Sequence, residues 1–334
     1  MATAFHFLRR WSKAGLSLWL LAILAAAGGC GGKTSESSGG GGCGSSSDCP
    51  KFDSESKEPV LLRYKCRPDQ KVQFGCNMDM TMRMRVTGAE KPINVSIDMN
   101  MTMDGHYDVT AVEPNGDFQA RMMLTRIAMK TKADTPGGKQ DMDFDSDRKA
   151  GDDERPEFRS LRTMLNAPVP IKISAIGKLL DMDMNALTRS MDRAAAAAFK
   201  QGMQQTLRGS FVQLSETPVK AGDVYDAGEL SMGGGSPGQP EMKFRAKYKV
   251  LSVRGDQKQA VLQPVIDFSL KDVPGMEQVK LESSSIDGWM LFDVEKGNIL
   301  KSAADVKMAM GASEGKESMH MDMTMKMKFH TDEK

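Results

Sequence analysis

Every second residue from 78 to 84 is methionine: Met78, Met80, Met82 and Met84, separated by Asp79, Thr81 and Arg83. The spacing returns at Met99, Met101 and Met103, and again at Met319, Met321, Met323, Met325 and Met327. Successive side chains of a β-strand point to opposite faces, so each segment gathers its thioethers on one face and its polar residues on the other. Such alternation commits these segments to an amphipathic sheet, one face buried and one wet. Composition reinforces the point, since the chain has 28 Met against 13 Phe.

The rest of the chain after Pro59 repeats the pattern in short alternating runs broken by turn residues. Strands are predicted over Leu61–Cys66, Val72–Val86, Ile93–Met103, Tyr107–Val112, Phe118–Thr131, Asp141–Ser146 and Val169–Ile176. Further strands are predicted over Val224–Leu230, Met242–Val253, Gln259–Leu270, Val279–Phe292, Ile299–Met310 and Ser318–His330. Asp104-Gly105 reads as a turn. Helices are predicted over Glu154–Asn166 and Asn185–Arg208 from apolar residues at helical spacing. Two echoes suggest internal duplication: Tyr107, Val109, Val112 and Ala120 match Tyr248, Val250, Val253 and Ala260, and Asn77–Val86 matches His320–Phe329. The expected fold is mainly β, a curved antiparallel sheet or unclosed barrel. It has two related halves, about 57–150 and 218–334, joined by a helical middle, 151–217.

The N-terminus has the order of an export signal. Arg9, Arg10 and Lys13 precede the apolar run Leu16–Ala27, which ends in Ala27-Gly28-Gly29-Cys30. A 12-residue run suits a secretory h-region and is too short to span a bilayer. Small residues before a cysteine resemble a bacterial lipobox. That resemblance implies removal of residues 1–29, lipidation of Cys30 and, with Gly31 following, attachment to the outer membrane. Residues 30–56 form a tether: thirteen of the 18 residues 31–48 are Gly or Ser, giving a reach of roughly 23 Å. Residues 57–334 form a single β-rich domain.

Within that domain, Leu62-Arg63-Tyr64-Lys65 leading to Lys71-Val72, Thr125-Arg126-Ile127, Asp145-Ser146 and Pro218-Val219-Lys220-Ala221-Gly222-Asp223 resemble an uncharacterised family of strand-rich bacterial envelope lipoproteins. The family has no assigned activity, so the resemblance implies no catalytic residue. Its strand-rich character is similar to lipoprotein carriers with an unclosed barrel.

An exported chain with four further cysteines points to disulfides. Cys66 and Cys76 flank the turn Arg67-Pro68-Asp69-Gln70, so an antiparallel return is expected to join them, leaving Cys43 with Cys49. Net charge is +1 and only 4 His are present, which removes the electrostatic case for nucleic acid and leaves no general base with a partner. Gly234-Gly235-Ser236-Pro237-Gly238 fits a nucleophile elbow formally, but it lies in a loop and Pro237 lacks the N–H an oxyanion hole needs. Asp141, Asp143, Asp145 and Asp147 read as an acidic strand face, because Ser146 stands where a calcium loop needs Gly. The expectation is a non-enzyme without metal or cofactor.

Three readings of the methionine face follow: plain core, since Met fills irregular gaps; an adaptable surface for a lipid-like ligand or envelope protein; or soft-metal capture, since thioethers select Cu(I). Copper is disfavoured on the expectation that neither Cys nor His shares the face. Pairing Met82 with Met99 across the Gly88–Pro92 turn is expected to set Arg83 opposite Asp98.

Overall fold

The computed structural model describes residues 49–88, 92–151, 154–189, 200, 211–233, 241–270, 280–314 and 317–333. The expected signal, Cys30, Cys43, and most of the expected tether and of the expected helix Asn185–Arg208 lie outside them. Among the described residues, twelve strands form one sheet: β1 (Lys71–Thr87), β2 (Ile93–Val112), β3 (Phe118–Thr135), β4 (Gly138–Asp145), β5 (Val169–Ile173), β6 (Leu179–Met182), β7 (Val224–Gly233), β8 (Glu241–Val253), β9 (Gln259–Leu270), β10 (Lys280–Asp293), β11 (Asn298–Glu314) and β12 (Glu317–Glu333). The order is β6-β5-β3-β2-β1-β12-β11-β10-β9-β8-β7, with β4 also on β3. Neighbouring strands pair antiparallel, and the sheet is not closed into a barrel. At about 3.3 Å per residue a 17-residue strand such as β1 runs roughly 56 Å.

The first and last strands meet at the centre of the sheet. Asn77–Val86 and His320–Phe329, the echoing segments, pair with each other, Met78 opposite Met327 and Met84 opposite Met321. The other echo marks two hairpins, β2–β3 and β8–β9, each with a bulge at the matching place, Val109/Ala111 and Val250/Ser252.

One end of the sheet is closed by a dense core. Val72, Tyr107, Val109, Phe118, Ile171, Ile173, Tyr248, Val250, Leu262 and Phe292 converge there with Leu62 and Tyr64, all buried. The segment 60–66 crosses this end as a strap. Val60 exchanges backbone bonds with Val219 (2.7 and 2.9 Å), Tyr64 N–H bonds Ala175 (2.8 Å) and Lys65 N–H bonds Gly297 (3.1 Å). The Arg63 guanidinium donates to the carbonyls of Ser215 and Glu216. Two of the segments that carry the family resemblance, Leu62–Lys65 and Pro218–Asp223, are therefore neighbours, and their visible work is to fasten this core.

Several expectations are corrected. Leu61–Cys66 is no strand of the sheet; it is the strap. Asp104-Gly105 is not a turn: β2 runs straight through it, and the bulge opposite lies in β3, where Thr125 is the extra residue between Arg126, paired with Asp104, and Leu124, paired with Gly105. A Cβ on Gly105 would stand 2.5 Å from Phe74 Cζ and 2.6 Å from the Met123 carbonyl, so the glycine admits the aromatic ring and the bulge rather than ending the strand. The β1–β2 register is two residues from the expected one, Met80 opposite Met99 and Met82 opposite Ile97. A shift of two keeps every face, and Arg83 still reaches Asp98 diagonally at 3.0 Å. β6 was not expected. Of the helical middle, the described residues show α1 (Pro156–Met164), within the expected Glu154–Asn166, and the four-residue helix Asn185–Thr188, interleaved with β5 and β6.

The expected Cys66–Cys76 disulfide does not form; both are thiols. β1 is bonded to β2 on one edge and β12 on the other, and Cys76 lies between Met103 and Phe329. No edge remains for the chain that carries Cys66, which turns into the strap instead. Cys49 is disulfide-bonded, and its expected partner Cys43 lies outside the described residues. Burial pushes the Cys76 thiol up to about 11, with Asp104 adding to it. The folded state thus prefers the protonated thiol. The stability this group contributes is intact below the unfolded value near 9.0 and is lost as pH rises toward about 11. Denaturant melts of the wild type and Cys76→Ala should therefore converge between pH 8 and pH 11; parallel curves would refute the shift.

Pro264 divides the sheet. β9 and β10 pair only from Gln259–Asp293 to Leu262–Met290. Beyond that point β9 continues on β8 alone, with Pro264 opposite Tyr248, and β10 continues on β11. Proline has no N–H for a second neighbour, which is why it ends the pairing.

Candidate functional site

The methionines of β1, β2, β11 and β12 form cross-strand rungs on one face. Met101, Met78, Met327 and Ala304 make the first, and Met99, Met80, Met325 and Val306 the second. Ile97, Met82, Met323 and Met308 make the third, and Val95, Met84, Met321 and Met310 the fourth. β3 extends the first rung with Met129, and β4 adds Phe144. The period of two puts each thioether inward, and in-register pairing stacks thioether beside thioether.

Met78, Met80, Met82, Met99, Met101, Met103, Met321, Met325 and Met327 are buried, whereas Met84 and Met323 are half-buried. Two clusters divide the face. The larger joins Cys76, Met78 and Met80 to Met99, Met101, Met103, Leu124, Ile127, Phe144, Leu161, Ile286 and Val306. The smaller, nearer the hairpin tips, holds Met82, Met308, Met310 and Met321, with Met84, Ile97, Leu281 and Met323 half-exposed against it. α1 covers one side of the larger cluster. Phe158 stacks on Phe144 at 4.8 Å, and Arg162 lies 5.1 Å over the Phe144 ring. Arg162 is held by Glu154 (2.8 Å) and the Ser146 carbonyl (2.7 Å).

The reverse face carries matching polar rungs. Thr102 bonds Asn77 (2.9 Å), Asn100 bonds Asp79, and Thr81 bonds Asp98 (2.9 Å). The Thr81 hydroxyl and, after it, Arg83 hold the Asp98 carboxyl below the usual carboxylate range. These exposed pairs add little stability each, but they disfavour other registers.

Structure and sequence part company at Cys76, which was expected off this face yet shares it with Met78 and is buried beside Met103. Its even number had already placed it there. Met129, Met308 and Met310 also belong to the face; the last two show the same spacing in the sequence. The inward role of Phe144 and Leu161 needed the tertiary fold. Among the described residues, no cluster of three His, Cys, Asp or Glu could hold a metal. Nor is any described helix long and apolar enough to cross a membrane.

No protein-family model and no curated protein matches the chain, so the expected envelope-lipoprotein family is not matched. Solved structures that it resembles include lipovitellin, in a study of lipid–protein interactions, at 12% identity and a TM-score of 0.40. That likeness covers 80% of this chain and 25% of the other. DynF from the dynemicin biosynthesis pathway of Micromonospora chersina follows at 10% identity, TM-score 0.16, covering 89% and 93%. An outer membrane lipoprotein-sorting protein domain from Vibrio parahaemolyticus gives 10% identity, TM-score 0.14, covering 74% and 83%. These superpositions are loose and carry no argument about what the chain does.

Proposed function

We propose that the protein is a non-catalytic binding module of the cell envelope, lipid-anchored through Cys30, whose methionine face contacts an apolar, lipid-like ligand. One contrast supports this reading. Along β1, the end in the dense core carries Val72 and Phe74, whereas four successive inward positions between Cys76 and Val86 are Met78, Met80, Met82 and Met84. Strand cores ordinarily favour β-branched and aromatic residues, and the core end of this sheet follows that rule. The methionine end departs from it over four adjacent rungs. Unbranched thioethers repack around varied shapes at low cost, a property a binding face uses and a rigid core does not.

Cys76 on the same face supports a second reading, Cu(I) bound by thiolate and thioethers. Burial opposes it by disfavouring the thiolate.

Intact-mass spectrometry of protein purified from its native envelope tests anchor and ligand together. The expected result is a chain starting at Cys30, heavier by acyl groups, with a lipid co-purifying near one per chain and no copper. An unacylated chain overturns the anchor. A preparation without apolar ligand overturns the binding role, and stoichiometric copper replaces it with the second reading.

A further inference from the structure

On the polar side of the sheet, near the hairpin tips, lies a groove of about 580 Å³ bordered by Arg85, Lys280, Glu282, Gly311, Ser318 and His320. Its floor is a single cross-strand rung: Arg85 opposite His320, His320 opposite Gly311, Gly311 opposite Lys280. Gly311 leaves a gap in the middle of that rung. A Cβ there would collide with the Glu282 carboxylate, which folds over it. Three strand spacings separate Arg85 from Lys280, about 14 Å between backbones, a span that two long side chains can close on a small group between them. The next rung toward the tip is short and hydroxylated, Thr87, Ser318 and Ser313, with Thr87 and Ser318 hydrogen-bonded at 2.7 Å.

The charges of the groove are unequally engaged. Glu282 is held by His320 Nδ1 at 2.9 Å, and Asp322 by His320 Nε2 at 3.0 Å. Arg85 and Lys280 have no ion-pair partner among the described residues. Two cations therefore face a glycine-floored, hydroxyl-rimmed depression whose own carboxylate is occupied by histidine. Guanidinium and ammonium groups beside hydroxyls recognise tetrahedral oxyanions.

We propose that this groove binds a phosphate group, with Arg85 and Lys280 as its charged ligands and, as donors, the Ser313 hydroxyl and whichever of the paired Thr87 and Ser318 hydroxyls does not donate to the other. The site lies on the opposite face from the methionine rungs and does not depend on their role. The same chemistry fits free phosphate or the phosphate of a lipid headgroup.

Two probes separate the sources: inorganic phosphate by titration calorimetry, and flotation with phosphatidylglycerol or phosphatidylcholine vesicles. Both are applied to the full chain carrying Cys30→Ser, so that no acyl anchor drives flotation, at low, fixed ionic strength, since screening weakens exposed charges. Arg85→Gln/Lys280→Gln is expected to weaken binding at least tenfold, whereas Lys301→Gln, exposed at the far end of β11, leaves it unchanged. All three side chains are exposed, and thermal melts of the variants should match the wild type. Saturable phosphate binding with no vesicle preference assigns a free anion. Selective flotation with phosphatidylglycerol, lost in the double variant, assigns a headgroup. Binding of neither probe by the wild type, or equal binding by wild type and double variant, overturns the site.

Discussion

Met78→Ala is expected to lower stability by about 3 kcal/mol, within the roughly 2–5 kcal/mol typical of large-to-small core changes. Met78 is 1% exposed and sits between Met101 at 2% and Met327 at 4%, so the cavity has packed walls on both sides. Met78→Leu keeps the volume and should cost less than about 1.5 kcal/mol. Met84→Ala, on the same face but half-buried, should cost below about 1 kcal/mol. Combining Met78→Ala with Met327→Ala should depart from additivity, because the two share one cavity. Urea melts of these variants, with Met327→Ala alone to complete the cycle, read the gradient and the coupling directly. A Met84 loss as large as that at Met78 would show a face packed as rigidly near the hairpin tips as at its middle, against the low-cost repacking that the binding role invokes.

Gly297→Ala is expected to cost more than about 3 kcal/mol and to release the strap. Gly297 has φ 68°, a left-handed conformation that side chains rarely adopt. An added Cβ would stand 2.7 Å from the Arg63 carbonyl and closer still to the Lys65 backbone nitrogen. Backbone cannot swing aside as a side-chain tip can, so the strap must lift. Its lifting breaks the Lys65–Gly297 hydrogen bond and exposes Leu62 and Tyr64, which are 0% and 4% exposed in the intact fold. Gly222→Ala is the control. Its φ is 94°, but nothing lies within 4 Å of the new Cβ, so only conformational strain of about 1–3 kcal/mol applies. Thermal melts and hydrogen exchange at Tyr64 and Lys65 distinguish the two. Unchanged protection of those amides in Gly297→Ala would refute the fastening role of the strap.

Alternation along a strand belongs to each segment alone, because the side-chain period is set by backbone geometry. That is why the methionine face, the strand positions and the polar reverse face were legible in the sequence, and why a residue such as Cys76 could have been placed by parity. Pairing belongs to no single segment. β1, β2 and β12 carry nearly the same pattern, and registers differing by two residues preserve every face, so only the assembled sheet put Met80 against Met99 and Met78 against Met327. The Cys66–Cys76 disulfide failed for a related reason: the local turn was read correctly, but both edges of β1 were already taken by distant strands. Asp104-Gly105 reads as a turn because glycine permits one; in the sheet the same glycine continues β2 and leaves room for the ring of Phe74. Pro264 carried its missing N–H in the sequence from the start; where that absence would split the sheet depended on which neighbour β9 acquired.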